Sequence, residues 1–268
     1  MQIKIKRYDK NIEPNSRDLN YKIQKGITLL KALLDIKATQ DSSLSFNAGC
    51  RSGICGCCAV RVNDSEVLAC SYIVKDKDFI SPLNYHQVKR DLVVDREESL
   101  KTLSKASSWL KDFKLTKVSI RVLPKFGIGA LAPDFCEAEA VTSDNFCKMS
   151  IAQEEITQTQ TDCILCSSCY SACPVYAVNP DFIGPFALTR AFRYINDPRE
   201  DNKKDTIDNI QSNGVWDCTL CGECTTVCPQ GIDPKMDITY LRGTSVEFGY
   251  SDPNFASMSF GFDPNAGF

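Results

Sequence analysis

The chain has 268 residues, with 31 Lys and Arg against 34 Asp and Glu for a formal net charge of -3, and 15 cysteines. That length leads us to expect about two domains; the charge offers nothing to nucleic acid, and no apolar run approaches the ~20 residues that cross a bilayer. Met1-Gln2-Ile3-Lys4-Ile5-Lys6 enters an alternating pattern at once, without the apolar core of a signal peptide, so a soluble chain in a reducing compartment is expected.

Ile3 and Ile5 alternate with lysines, and Leu19, Tyr21 and Ile23 with polar neighbours. Both stretches read as half-buried strands, joined by a turn over 11–16 that contains Pro14. Thr28 then precedes Leu29, Leu30, Leu33, Leu34 and Ile36, one apolar face at helical spacing with Thr28 as its cap. A cysteine loop follows: Cys50, Cys55 and Cys58 stand as Cys-x4-Cys-x2-Cys, with Cys70 after eleven intervening residues. That is the spacing of a plant-type 2Fe-2S site. Gly49, Gly53 and Gly56 let backbone amides approach the sulfurs, where such donors shift a cluster's potential. Cys57 is surplus, and an outward-facing or packed thiol is expected there. Residues 59–62 and 67–69, with a turn at Asn63-Asp64, read as a hairpin that sets Cys70 opposite the loop. Strand, strand, helix and cysteine loop, in that order, resemble the β-grasp fold of plant-type ferredoxins.

A last strand over 79–83 and a connection over 85–95 close this first domain at 1–95. His86, the single histidine, is given a structural role. Residues 96–113 read as helix, with Leu100, Leu103 and Leu110 on one side. The remainder of a linker segment over 96–162 carries little pattern. Val118, Ile120 and Val122 alternate, then Pro124, Gly127, Gly129 and Pro133 interrupt. Cys136 and Cys147 lie there outside any ligand spacing, so a surface crossover with two unligated thiols is expected, a partner-docking insert being the sharper reading.

Cys163, Cys166, Cys169 and Cys173-Pro174 then form Cys-x2-Cys-x2-Cys-x3-Cys-Pro, and Cys218, Cys221, Cys224 and Cys228-Pro229 repeat it. In this bacterial ferredoxin spacing three cysteines wrap one cluster and the fourth reaches the other. Thiolate is the soft ligand iron-sulfur clusters select, and each proline is expected to stop its turn from continuing as helix. Zinc, which typically closes on two Cys-x2-Cys pairs, fits this layout poorly. Disulfides fit worse, in a chain of this size with an odd cysteine count. Between the motifs, 186–195 reads as a helix opened by Gly184-Pro185 and ended at Asn196-Asp197-Pro198. A solvated charged loop follows over 199–204 and a short helix over 205–211. Asp233-Pro234 opens another helix, which Gly243 is expected to close, ending an all-α domain over 163–244. The tail, 245–268, is aperiodic and rich in phenylalanine, an arm laid on a partner or a disordered end.

An N-terminal plant-type site followed by two bacterial ferredoxin motifs resembles the iron-sulfur subunit of the succinate dehydrogenase and fumarate reductase family. Cys50-Arg51 through Cys58-Ala59, Lys89-Arg90-Asp91-Leu92-Val93-Val94-Asp95, Cys163-Ile164-Leu165-Cys166 and Gly184-Pro185-Phe186-Ala187-Leu188 carry the likeness. The resemblance implies an α+β chain, a β-grasp domain followed by an all-α ferredoxin domain, that relays single electrons and has no catalytic residue of its own. It implies a 2Fe-2S cluster on Cys50, Cys55, Cys58 and Cys70, nearest the FAD of a flavoprotein partner. A 4Fe-4S cluster on Cys163, Cys166 and Cys169 with Cys228 comes next. A third uses Cys173, Cys218 and Cys224. Most members lack a cysteine where this chain has Cys221 and hold 3Fe-4S there. With Cys221 as fourth ligand a second 4Fe-4S is expected, and 3Fe-4S if Cys221 does not bind.

Val175-Tyr176-Ala177-Val178 and Thr219 stand where the family usually has tryptophans and a histidine. This resembles the branch whose quinone-reactive, membrane-associated partner is cysteine-rich and related to heterodisulfide reductase. The complex is then expected to lie peripherally on the cytoplasmic membrane, on the cytoplasmic side unless co-exported. Alternatives are the same architecture in another respiratory dehydrogenase or a thiol-dependent fumarate reductase, a free multi-cluster ferredoxin, and a zinc-stabilised binding module.

Overall fold

The computed structural model describes residues 1–12, 15–110, 151–200 and 202–253. Expectations for Pro14, for the strand at 118–122, for Cys136 and Cys147, and for the tail beyond 253 lie outside the described residues.

The first half is a mixed five-stranded sheet crossed by one helix. Strands β1 (Gln2–Tyr8), β2 (Ser16–Lys22), β3 (Ala59–Val62), β4 (Ser65–Leu68) and β5 (Phe79–Ser81) run in the order β2-β1-β5-β3-β4. β1 pairs antiparallel with β2 and parallel with β5; β3 pairs antiparallel with β4 and β5. Side chains alternate across a strand, so Ile3, Ile5 and Arg7 of β1 all face inward. Helix α1 (Leu29–Thr39) starts where Thr28 Oγ1 accepts from Lys31 N–H, and it buries Leu29, Leu30, Leu33 and Ile36 against the sheet. Each such side chain contributes roughly 1.5–3 kcal/mol.

Arg7 is a buried charge in this core. Its Nε donates to Asp91 Oδ1 at 2.8 Å, its Nη2 to Asp91 Oδ2 at 3.2 Å, and Nη1 to Tyr21 and Asp41. Asp91 also accepts from the backbone N–H of Tyr8 and of Ser45. The expected plain connection over 85–95 is in fact a small hairpin, β6 (Val88–Arg90) and β7 (Val93–Val94), turned at Asp91 with φ +48°. Arg7 explains it: Asp91 leaves its ordinary conformation to meet the guanidinium.

Helix α2 (Glu97–Lys105) is shorter than the sequence reading; of its leucines, Leu103 packs against the helical core. Leu110 lies beyond it and Leu100 is 40% exposed, whereas Ser99 and Thr102 are buried. Their hydroxyls meet Ser167 Oγ (3.1 Å) and the Tyr170 hydroxyl (2.6 Å), so hydrogen bonds satisfy a polar seam that hydrophobic spacing cannot reveal. Helix α3 (Ile151–Thr161) was not expected at all.

The second half is helical: α4 (Ser168–Ser171), α5 (Pro174–Val178), α6 (Pro185–Ile195), α7 (Lys203–Asn209), α8 (Glu223–Thr226) and α9 (Pro234–Glu247). Its core joins Tyr170, Phe182, Phe186, Leu188, Ile207, Ile238 and Leu241. Three expectations need correction. Pro174 opens α5 at its first position, where the missing N–H costs nothing, so the proline starts a helix as well as ending a turn. Residues 199–204 are not a plain solvated loop: Glu200 is buried, Arg199 pairs with Asp197 at 2.6 Å, and Asn202 caps α7. Gly243 does not end α9, which continues to Glu247 and buries Ser245, bonded to Gln211.

Candidate cluster sites

The loop 46–58 carries Cys50 and Cys55 at the surface, Cys58 is buried at the foot of β3, and Cys70 follows β4. The hairpin holds Cys70 beside Cys58, as Ala69 N–H donates to Cys58 O at 3.1 Å. Backbone amides converge on sulfur: Cys50 Sγ accepts from Ser52, Ile54 and Cys55 N–H at 3.3–3.4 Å, and Cys55 Sγ from Cys50 N–H at 3.4 Å. Amides of Ser52 and Cys55 pull the Cys50 thiol down to about 6. Burial pushes Cys58 up to about 12, and its neighbour Cys70 adds to that. Cys57 is half-exposed and takes the packed one of the two expected alternatives. Its Sγ lies 3.2 Å from Cys55 Sγ, and burial and Cys55 push it up to about 11. Gly49 makes room for this pair, since a Cβ there would meet the two sulfurs at 2.8 and 2.9 Å.

The tandem motifs repeat in the backbone as well as in the sequence. Leu165 and Ser167 have φ +52° and +67°; Leu220 and Gly222, at the same motif positions, have +55° and +87°. These left-handed steps bend each motif back on itself before a short helix, α4 or α8, begins. Cys163, Cys166 and Cys169 line one cavity of about 380 Å³, and Cys228 from the second motif lines it with them. Cys173 is influenced by Cys218 and Cys221, and Cys224 by Cys218, Cys173 and Cys221, so those four form a second group. Cys169 also feels Cys224, which puts the two groups side by side.

Burial raises Cys163, Cys169, Cys173, Cys218, Cys224 and Cys228, with Cys224 pushed up to about 12. Buried thiols stay protonated unless a bound cation offsets the lost hydration, so metal binding here releases protons. The described cysteines are all free thiols, and none of the described Cys, His, Asp or Glu side chains gather tightly enough to hold a single ion. The wall of the cavity, its soft donors, and further amides aimed at sulfur (Tyr176 N–H to Cys173, Leu220 N–H to Cys218) fit polynuclear iron-sulfur groups.

The two halves meet at these loops. Gly56, at φ +65°, lies so close to the first cubane motif that a Cβ would stand 2.7 Å from Cys166 Cβ and 3.1 Å from Ile164 O. Arg96 Nη1 donates to Gly56 O (3.2 Å) and Cys166 O (3.3 Å), and Gln230 Nε2 donates to Gly53 O (3.1 Å). Ser171 Oγ donates to Glu66 (2.7 Å) and accepts from Asn84 N–H. Arg96, Ser171 and Gln230 carry no signal in the sequence. His86 Nδ1 lies 2.6 Å from Asn84 O, and its ring packs against Tyr176.

A β-grasp half and a helical half, each presenting grouped thiols, joined through the loops that hold them, define a multi-cluster iron-sulfur protein. Residues 2–101 match the 2Fe-2S iron-sulfur cluster binding domain family and 159–232 the 4Fe-4S dicluster domain family. The chain is 32% identical, over 89% of its length and 90% of the relative's, to the fumarate reductase iron-sulfur subunit of Haemophilus influenzae. It is 34% identical over 83% of its length to the 8-methylmenaquinol:fumarate reductase iron-sulfur subunit of Wolinella succinogenes, of which it spans 65%. A solved structure titled Mycobacterium smegmatis Sdh1 complex in the apo form shares the fold, with TM-score 0.72 at 20% identity over 93% of this chain and 97% of that one. The chain belongs to the family of fumarate reductase and succinate dehydrogenase iron-sulfur subunits. No described helix is long and apolar enough to cross a membrane.

Proposed function

We propose that this chain is the electron-transfer subunit of a succinate dehydrogenase or fumarate reductase complex. It relays single electrons between the FAD of a flavoprotein subunit and a quinone- or quinol-reactive, membrane-associated subunit. The observation that carries the reading is the contact of Gly56 with Cys166 and Ile164, which leaves no side chain between the plant-type loop and the first tandem motif. Electron exchange falls steeply with distance, so two loops in backbone contact suit a relay.

In this reading Cys50, Cys55, Cys58 and Cys70 hold 2Fe-2S, Cys163, Cys166, Cys169 and Cys228 hold 4Fe-4S, and Cys173, Cys218, Cys221 and Cys224 hold a second 4Fe-4S. These groups supply the one-electron chemistry when bound. The chain supplies thiols, amide dipoles and a dry setting. Cys221 is exposed but lies within electrostatic reach of Cys173 and Cys224, which favours four thiolates at the third site. The Wolinella relative's name supplies a menaquinol-type donor, consistent with a peripheral place on the cytoplasmic membrane, on the cytoplasmic side unless the complex is exported with a partner. A cysteine-rich, heterodisulfide-reductase-like subunit remains the proposed quinone-reactive partner.

The test is anaerobic isolation with a co-expressed flavoprotein partner, followed by iron analysis and EPR. About ten irons per chain are expected, the sum of the three groups, with succinate or a strong reductant reaching all three signals. The oxidised wild type shows no full-intensity 3Fe-4S signal, and Cys221→Ser introduces one. A full 3Fe-4S signal in undamaged wild type rejects the third-site assignment. A 2Fe-2S centre that never equilibrates with the others rejects the relay.

A further inference from the structure

One buried ionisable group stands apart from the relay's own ligands. Asp237, on α9, is 3% exposed. Its Oδ1 accepts from Gln160 Nε2 of α3 at 2.8 Å, while its Oδ2 makes no hydrogen bond. Gln160 Oε1 makes no hydrogen bond, and the hydroxyl of Thr189 on α6, the one group set toward the Asp237 carboxyl from that helix, makes none of good geometry. Thr189 faces the Asp237 carboxyl, and its other side lines the cavity of Cys163, Cys166, Cys169 and Cys228. Pro234, one turn back along α9, lines that cavity too. On the opposite side, Asp237 and Gln160 line an open groove of about 1110 Å³ with Thr159, Met236 and Tyr240. The carboxyl therefore stands between solvent and the cavity, one threonine away from it.

Among the described residues nothing positive offsets a charge on this carboxyl. Among the described residues, α3 turns Gln160 to it and α6 turns Thr189. Its own helix adds another acid, Asp233. The arginines of α6 nearest in sequence, Arg190 and Arg193, lie over the Tyr194 ring instead. Arg242 of α9 is spent on the carbonyls of Val215, Trp216 and Cys218. A cubane held by four thiolates is an anion, and each electron it receives adds another negative charge beside an uncompensated acid. A proton on Oδ2 removes that repulsion and gives this orphaned oxygen a hydrogen to donate.

We propose that Asp237 takes up one proton from solvent whenever the group in the Cys163, Cys166, Cys169 and Cys228 cavity gains an electron, and returns it on oxidation. The proposal rests on those four cysteines holding a cubane. The balance is simple. One electron enters the cavity from a neighbouring cluster, one proton crosses from the groove to Oδ2, the carboxylate becomes a carboxylic acid, and the net charge of the region does not change. Desolvation already raises this carboxyl to about 6, close to the pH at which such exchange is useful.

The experiment is an EPR-monitored redox titration of the complete complex between about pH 5 and pH 8, on wild type and Asp237→Asn, with reduced-minus-oxidised infrared spectra of the wild type. The reduction equilibrium of this cubane is expected to weaken up to tenfold per pH unit as pH rises, about 59 mV for a one-electron couple. A carboxylic C=O band should appear on reduction. Asp237→Asn should abolish both the slope and the band. A pH-independent wild-type potential without the band overturns the proton coupling alone, as does a slope retained in Asp237→Asn. If the variant fails to assemble, the wild-type band and slope decide. Absence of any four-iron signal from this cavity overturns the ligand assignment and the coupling together.

Discussion

Arg7→Met tests whether the first domain is built on a buried charge cluster. The Arg7 and Asp91 side chains are 6% and 2% exposed, and Asp41 is 21% exposed. Methionine keeps most of the volume but leaves Asp91 without its cation and removes the donors to Tyr21, Asp41 and Ser43. Removing one partner of a buried pair costs about 3–5 kcal/mol. Asp91 keeps the amides of Tyr8 and Ser45, so the lower end, about 3 kcal/mol, applies. For a domain of about 95 residues that lowers Tm by roughly 12–24 °C. Since Asp91 also ties Ser45 near the start of the cysteine loop, anaerobic thermal bleaching of the 2Fe-2S absorbance reports the loss directly. Arg7→Lys keeps the charge but not the fork, and should recover part of it. A shift below about 2 °C in Arg7→Met refutes the argument that this cluster organises the domain.

Gly184→Ala places a Cβ 2.3 Å from the ring of Tyr170, which is fully buried, at a backbone φ of +88°. Overpacking and left-handed strain together should cost about 3 kcal/mol or more, seen as lost cubane iron and lowered Tm; wild-type iron and Tm would contradict it. Asp237 gives a pH dependence of stability. Its folded pKa, about 6, lies above the ordinary carboxylate value, so the folded state binds more protons, and stability falls as pH rises from about 4 to 6. The limit is about 3 kcal/mol. Asp237→Asn should flatten that part of a thermal-unfolding profile, and an unchanged slope would sink the assignment.

Where local chemistry decides, the sequence was a good guide. Thr28 caps α1 and Asp233 caps α9 with their own side-chain oxygens, and the alternation of β1 survives as alternation of burial. What failed was set by partners far along the chain. Asp91 is pulled into a tight turn by Arg7, eighty-four positions away. The buried face of α2 sets Ser99 and Thr102 beside Leu103, with Ser167 and Tyr170 completing the hydroxyls, so Leu100 falls outside the face the leucine spacing proposed. For Cys57 the sequence left two alternatives open, and the space at Gly49 lets it pack beside Cys55. Asp237 did carry a signal that was missed: it falls in register with Pro234, Ile238, Leu241 and Ser245, the buried stripe of α9. The grouping of the tandem-motif thiols was legible as spacing, including the crossing of Cys228 to the cavity of Cys163, Cys166 and Cys169.

That exchange of the fourth cysteine has a mechanical consequence. Cys228 reaches from the second motif to the cavity of the first, and Cys173 reaches from the first to the group of Cys218 and Cys221. In the proposed ligand assignment neither motif completes its own site, and thiol ligation at both ends at once would offset the closure of the long loop between them. Gly56, Arg96 and Gln230 then fasten the plant-type loop to the same framework through backbone carbonyls. The separation between neighbouring sites therefore rests on the close backbone approach at Gly56 and on two side chains, Arg96 and Gln230, that clamp main-chain carbonyls. A relay needs that more than it needs any particular residue, because a small increase in gap slows electron exchange while a small change in potential is tolerated. It follows that the residues best placed to impair transfer without touching a ligand are Gly56 and Arg96, where the cost of substitution is distance.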